Sequence, residues 1–182
     1  MSISTALSKL SQEEISFLIK HMKRNSVLLG YDFEDLTKSS FGFIKFRLPE
    51  LLNTGNLDLM IFEAFKDRKV NVFEYDILQI SYNDAVGFLA WVLDELELIN
   101  ILEQEHLSSD PDIDMMAAGI KELNQFGDLN TIDVLASGDI TKWEEIKKLP
   151  YNVVFDKQYK SVVENGIQKR LVKIKESKGG KK

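Results

Sequence analysis

The sequence predicts a mainly α-helical protein, and three observations carry this prediction. Apolar residues recur every three or four positions in most segments, which is the spacing of one helix face and indicates a compact bundle of about seven or eight helices. Capping residues precede these segments, and glycines or prolines follow them. The chain has 182 residues, of which 44% are hydrophobic, so it can bury a sizeable core within one domain.

The N-terminal half contains several predicted helices whose starts are marked by local signals. Ser11 and Glu14 form a capping box, and helical apolar spacing follows directly. Pro49 suits the first turn of the next helix, and Asn56 caps another. A further helix is predicted from Phe73. Each of these starts depends only on residues a few positions apart.

The longest predicted helix covers residues 84–106. Its apolar residues occupy most of the circumference, which is typical of a helix that is central in its domain or lies against a partner chain. Core placement is the commoner arrangement. The middle of this helix carries Asp94, Glu95 and Glu97, whose burial in lipid is too costly for a membrane span.

The segment from residue 31 to residue 49 has the least regular pattern. Phe41, Phe43 and Phe46 alternate in part with small or charged residues, which indicates a short strand or hairpin near residues 41–47. A single strand cannot stabilise itself, and no partner run is evident. An aromatic-rich loop packed on helices therefore remains an alternative.

Beyond residue 106 the helices become shorter. Asp110 and Pro111 predict a helix start, and Gly127 predicts its end. Asn130 then caps a two-turn helix that Gly138 closes, and a second capping box begins at Thr141. The last helix starts at residue 150, with a break expected at Gly166. Residues 177–182 are expected to be disordered.

Charge divides the chain into an acidic body and a basic tail. Residues 156–182 contain nine Lys or Arg and three Asp or Glu, whereas the rest of the chain contains 14 basic and 26 acidic residues. We predict an acidic helical body over residues 1–126. Short capped helices and a basic C-terminal helix over residues 127–176 pack on that body. The basic tail suggests an anionic contact, or the body of a neighbouring subunit, unless it is simply solvated.

The patterns of known catalytic, metal and cofactor sites are absent. There is no cysteine, and the only histidines, His21 and His106, belong to no metal-ligand spacing. No glycine-rich phosphate loop and no nucleophile elbow occurs. We therefore assign no catalytic residue, metal ligand or cofactor. The N-terminus lacks the features of a signal peptide, and we expect a cytoplasmic location.

The acidic body makes nucleic acid an improbable partner, although a few cations of the tail could contact phosphates. Lys169, Arg170 and Lys173 are the candidate contact residues of the tail. Trp143 is a large aromatic residue on a very short predicted helix. It must either pack onto the body, which is the commoner outcome, or anchor a partner.

Residues 126–143 (FGDLNTIDVLASGDITKW) and 149–155 (LPYNVVF) resemble the tail-assembly chaperones of tailed bacteriophages, which are made just before the tape-measure protein. The shared features are a turn of small residues with an acidic residue, a Lys-aromatic helix and an aliphatic-Pro-Tyr step into a final helix. Here the turn reads Ser137-Gly138-Asp139 and lacks the double glycine of that pattern.

The resemblance implies a non-enzymatic protein that shields hydrophobic helices of the tape-measure protein in the host cytoplasm. Trp143, Tyr151 and Phe155 are the contacts that such a role implies. Two alternatives remain open at this point. One is a structural virion or connector subunit that homo-oligomerises, and the other is an enzyme or regulator without a sequence signature.

Overall fold

The computed structural model describes residues 11–108 and 113–179, and it is mainly α-helical as predicted. The α-helices are α1 Gln12–His21, α2 Leu48–Thr54, α3 Leu57–Asp67, α4 Glu74–Ile77, α5 Tyr82–His106, α6 Ile113–Ala117, α7 Leu129–Leu135, α8 Trp143–Lys147 and α9 Tyr151–Gly179. The remaining elements are strands β1 Val27–Leu28 and β2 Tyr31–Asp32, three 3-10 turns (Leu36–Lys38, Ile120–Phe126 and Ile140–Lys142) and a π-helical turn, Phe43–Arg47.

The helix starts signalled at Ser11, Pro49 and Asn56 are confirmed. At α1 the Ser11 amide donates to Glu14 Oε2 at 2.8 Å, and the Glu14 amide donates to Ser11 Oγ at 3.2 Å. Pro49 lies in the first turn of α2, and Asn56 Oδ1 accepts from the Leu59 amide at 3.0 Å. These contacts span three residues, which is why the sequence alone predicts them.

The predicted strand near residues 41–47 is wrong. Phe43–Arg47 forms a π-helical turn that continues into α2, and the buried residues Phe41, Ile44 and Leu48 follow helical spacing. The hairpin lies earlier, where β1 pairs antiparallel with β2. Its two-residue turn places Leu29 and Gly30 at φ 51° and 78°. Asn-Gly is the sequence that usually marks such a turn. Leu29-Gly30 does not match it, which is why the sequence does not predict the hairpin here.

The first half of α5 is central, which confirms core placement for that part of the helix. Phe33 lies at the centre of the core. Its ring centroid is 5.0 Å from that of Phe65 and 4.8 Å from that of Phe88. Gly87 lets the chain after α1 approach closely, and its carbonyl accepts from the Asn25 amide at 3.2 Å.

The C-terminal helices differ in detail from the prediction. α7 begins at Leu129, ahead of the predicted cap Asn130, whose side chain instead donates to the Leu123 carbonyl. The start near Thr141 is capped by Asp139, whose carboxylate accepts from the Thr141 amide at 3.0 Å. Asp139 provides this cap in place of the predicted Thr141–Glu144 box. The predicted start at Asp110 and Pro111 lies outside the described residues.

The last helix is longer and more regular than predicted. α9 passes through Gly166 without a break and includes residues 177–179, although the sequence predicts disorder there. A glycine in a helix interior costs about 1 kcal/mol relative to alanine, which a long helix tolerates. Residues 180–182 lie outside the described part of the chain.

Candidate protein-docking surfaces

The C-terminal segment is joined to the body by a short antiparallel bridge between Ser40 and Pro150. The Phe41 amide donates to the Leu149 carbonyl, and the Tyr151 amide donates to the Ser39 carbonyl, both at 2.8 Å. This pairing fixes the first residue of α9. It therefore determines where the whole of α9 leaves the body.

A polar cluster under α9 holds three segments together. The Tyr151 hydroxyl donates to Glu103 Oε1, and Lys45 Nζ donates to Glu103 Oε2, both at 2.6 Å. Burial raises the pKa of Tyr151 far above its usual value, and the hydrogen bond to Glu103 adds to that shift. The phenol thus remains protonated at neutral pH, where it is a hydrogen-bond donor to Glu103.

Asp128 lies at the margin of this cluster, immediately before α7. Its partial burial raises the pKa of its carboxyl group; the positive charge of Lys45 opposes that shift, and the negative charge of Glu103 reinforces it. Lys45 and Glu103 pair with each other, so an ionised Asp128 adds a negative charge at the margin of the cluster. The cluster connects the π-helical turn, α5 and α9, and its role is structural.

The three aromatic residues predicted to contact a partner all pack against the body. Tyr151 is only 2% exposed, so it is not accessible to a partner. Trp143 is partly buried on the core, and its buried Nε1 has no hydrogen-bond partner among the described residues. Phe155 is also partly buried and stacks between Tyr151 and Tyr159. Packing, the commoner outcome expected for Trp143, holds for all three.

The three predicted cations behave differently, because Lys169, Arg170 and Lys173 are exposed on α9. We call Val163–Gly179 the distal helix. From residue 163 to residue 177 every residue is exposed except the partly buried Gly166. Four apolar residues, Val163, Ile167, Leu171 and Ile174, are between 42% and 49% exposed.

The distal helix extends past the end of α5. His106, the last residue of α5, lies beside α9, with its ring 6.3 Å from that of Phe155 and 5.0 Å from that of Tyr159. α9 continues for twenty more residues after Tyr159, which is about 30 Å at 1.5 Å per residue. Its cations and apolar residues are therefore displayed away from the body.

A second exposed surface was not predicted. A groove of about 330 Å³ lies between α3 and α4 and is lined by Asn56, Asp58, Leu59, Phe62, Glu74, Ile77 and Leu78. We call it the α3–α4 groove. Its floor is apolar, since Ile77 is buried and Leu59 and Phe62 pack on the core. Asp58 and Glu74 add negative charge to its lining.

Three large exposed apolar residues lie at or next to this groove: Leu78 lines it, and Phe73 and Tyr75 flank its lining residue Glu74 in the chain. Phe73, Tyr75 and Leu78 are 54%, 59% and 62% exposed, and the rings of Phe73 and Tyr75 stack at 5.4 Å with an interplanar angle of 7°. The Phe73 amide donates to Asp76 Oδ2 at 2.9 Å, which fixes the start of α4. Phe73 precedes α4 in an extended conformation, which places its ring on that of Tyr75.

A polar cleft of about 490 Å³ lies between the π-helical turn, α3 and α8. Three of its five lining cations approach carboxylates, whereas Lys69 and Lys148 form no ion pair with the described residues. Lys147 Nζ lies 2.7 Å from Glu144 Oε1, and Arg47 and Lys66 both approach Glu63. The cleft is therefore a weaker candidate for ligand binding than the two apolar surfaces.

Within residues 11–108 and 113–179, no three or more His, Asp or Glu side chains are grouped as metal ligands would be. None of the helices in the described part of the chain has both the length and the apolar character needed to cross a membrane. The chain matches no protein-family model, and neither a curated protein nor a solved structure shows significant similarity to it.

Proposed function

We propose that this chain is a non-catalytic binding protein that captures an amphipathic helix of a partner protein in the α3–α4 groove. The observation that carries the proposal is the exposure of Phe73, Tyr75 and Leu78 beside a concave apolar floor. Groove-binding proteins hold a helix in this way, with its apolar anchors in the groove and its polar face in solvent.

The stacked pair makes the groove suitable as a binding surface before any partner arrives. Aromatic residues offer a large contact area with few rotatable bonds, so little conformational entropy is lost when they are covered. Phe73 and Tyr75 already restrict each other through their stacked rings. Aromatic side chains are also enriched where interfaces concentrate their binding energy.

The charge of the groove defines the helix that fits it. Asp58 and Glu74 line the groove of a chain whose net charge is −6. A helix with Lys or Arg beside its apolar face therefore meets complementary charge, whereas an acidic helix is repelled. The proposed partner is thus a basic amphipathic helix.

The resemblance of residues 126–155 to tail-assembly chaperones supports a class of partner. In this proposal the chain acts in the host cytoplasm and covers apolar helix faces of a tape-measure protein until the tail polymerises. Gene order gives a direct check: a tape-measure gene immediately downstream supports this assignment, and its absence contradicts it. A self-associating structural subunit is the second candidate, because the distal helix is exposed.

Co-expression with the downstream tape-measure protein tests the groove. We expect the wild-type chain to raise the soluble yield of the tape-measure protein and to co-purify with it. Replacing Phe73, Tyr75 and Leu78 together by Ser should lower the affinity at least about thirtyfold, since one hot-spot residue contributes about 2 kcal/mol or more.

A matched control separates the groove from general surface hydrophobicity. Val134 and Ile140 are even more exposed, at 75% and 69%, but lie on α7 and the 3-10 turn before α8. Replacing both by Ser should leave capture unchanged. Equal loss in the two variants, or full capture by the triple variant, would show that the α3–α4 groove is not the binding site.

A further inference from the structure

The distal helix is exposed on all sides, which is unusual for a helix of its length. Most helices in proteins gain their stability chiefly from the packing of an apolar face. The distal helix has seventeen residues and contains Gly166, yet no residue from 163 to 177 is buried. This segment therefore gains much of its stability only when another surface covers it.

Four of the five exposed apolar residues of the distal helix identify the side to be covered; the fifth, Val172, lies on another side. Val163, Ile167, Leu171 and Ile174 are spaced by four, four and three residues, so they follow one side of the helix. This side is not the one that packs on the body, where Val154 and Tyr151 are buried. We call these four residues the distal stripe.

The charges around the distal stripe are mostly positive. The distal helix contains five Lys or Arg and two Glu. None of the four cations from residue 169 to residue 175 makes an ion pair within the described part of the chain. Two distal helices would repel each other, so pairing of like helices is unfavourable. The covering surface must be acidic and apolar.

The second half of α5 offers such a surface on the same chain. Leu98, Ile101 and Leu102 are 55%, 43% and 39% exposed. Leu98 and Ile101 lie on the side of α5 away from the buried Ile99, and Leu102 lies between Leu98 and Ile99 around the helix. Glu97 and Glu105 are exposed beside them. We call these five residues the acidic strip.

We propose that the distal helix binds the acidic strip of a second copy of this chain. Apolar residues meet apolar residues, and the cations of one copy meet the carboxylates of the other. The strip of the same chain is out of reach, because α9 runs on beyond the end of α5 without a break. This proposal uses none of the residues assigned to the α3–α4 groove and stands independently of the proposed function.

The expected association is modest. A single helix laid on a strip of three apolar residues is smaller than a standard protein–protein interface. Reciprocal contacts in a two-fold dimer double the buried area, and a head-to-tail arrangement continues into longer assemblies. We therefore expect dissociation constants of about 1 to 100 μM, which are measurable by sedimentation.

A charge-swap experiment tests the contact on the full chain. Replacing Lys169, Arg170 and Lys173 by Glu should weaken self-association at least tenfold, and so should replacing Glu97 and Glu105 by Lys. An equimolar mixture of the two variants should associate again, because their charges are complementary once more. Adding salt should weaken the wild-type assembly, since exposed ion pairs are screened.

The control replaces Lys20, Lys121 and Lys148 by Glu, which changes the net charge equally at exposed positions elsewhere. This variant should associate as the wild type does, and circular dichroism should show that all variants are folded. A wild-type chain that remains monomeric at about 100 μM contradicts the proposal. So does a mixture of the two charge variants that fails to associate, because the charges at the proposed contact are complementary in that mixture.

Discussion

At the scale of single residues, Glu103 has the most demanding surroundings. Its two carboxylate oxygens accept from Tyr151 and Lys45, and its side chain is 22% exposed while that of Lys45 is 14% exposed. Replacing Glu103 by Gln leaves the cation of Lys45 without its counter-charge in a poorly solvated site. We expect the free energy of unfolding to fall by about 3 kcal/mol, as for other partly buried ion pairs that lose one partner. Urea unfolding measures this loss.

The matched variant replaces Tyr151 by Phe, which keeps the ring and the Lys45–Glu103 pair. It removes one hydrogen bond to a charged acceptor and should cost about 1.5 kcal/mol. If Glu103→Gln lowers the free energy of unfolding no more than Tyr151→Phe does, solvent already screens the Lys45–Glu103 pair, and the cluster does not stabilise the contact between these elements.

The residue scale is also where prediction from sequence was weakest. The partners of Tyr151 lie 48 residues away at Glu103 and more than a hundred residues away at Ser39. Local spacing cannot show such contacts, so the burial of Tyr151 was not fixed by its neighbours in sequence. The exposure of Lys169, Arg170 and Lys173 on the distal helix is easier to predict, because charged side chains are seldom buried without a partner.

At the scale of elements, replacing a helical glycine by alanine should have opposite effects on stability at Gly87 and at Gly166. A Cβ added at Gly87 would lie 2.7 Å from the Lys23 carbonyl oxygen, whereas one added at Gly166 would meet only Arg170 Nη1, at 3.4 Å. Gly87→Ala should therefore cost about 1 to 3 kcal/mol through overpacking. Gly166→Ala should stabilise α9 by about 0.5 to 1 kcal/mol through helix propensity.

Urea unfolding measures the first effect, and far-ultraviolet circular dichroism measures the second as added helical signal. A destabilising Gly166→Ala would mean that the distal helix bends at this residue in solution. A neutral Gly87→Ala would mean that the chain after α1 approaches α5 less closely than the structure shows.

The elements also show which parts of the fold the sequence determines locally. Caps such as Ser11 and Asn56 act over three residues, so the helix starts that they mark were predicted correctly. The π-helical turn at 43–47 was missed because its conformation depends on packing against distant residues, including the bridge from Ser40 to Pro150. The α3–α4 groove was missed for a related reason, since a groove exists only once two helices have packed.

At the scale of the whole molecule, the chain combines a packed body with a helix that projects from it. The core residues end with Tyr151 and Val154, and partly buried apolar packing ends with Phe155. Beyond that point α9 adds length, charge and exposed apolar area without adding to the core. The body and the distal helix should therefore contribute separately to stability, and one deletion can test this.

Deleting residues 163–182 should leave the body folded. No side chain from 163 to 177 is buried, so the free energy of unfolding should change by less than about 1 kcal/mol, within the range of surface changes. Helical signal should fall, and the shortened chain should be monomeric if the distal helix joins two copies.

A longer deletion, of residues 155–182, also removes Phe155 and Tyr159 and should cost about 3 kcal/mol, as the loss of a packed aromatic does. Calorimetry on both chains measures the contrast. Equal destabilisation by the two deletions would mean that the distal helix packs on the body in solution, and it would remove the basis for a contact between copies.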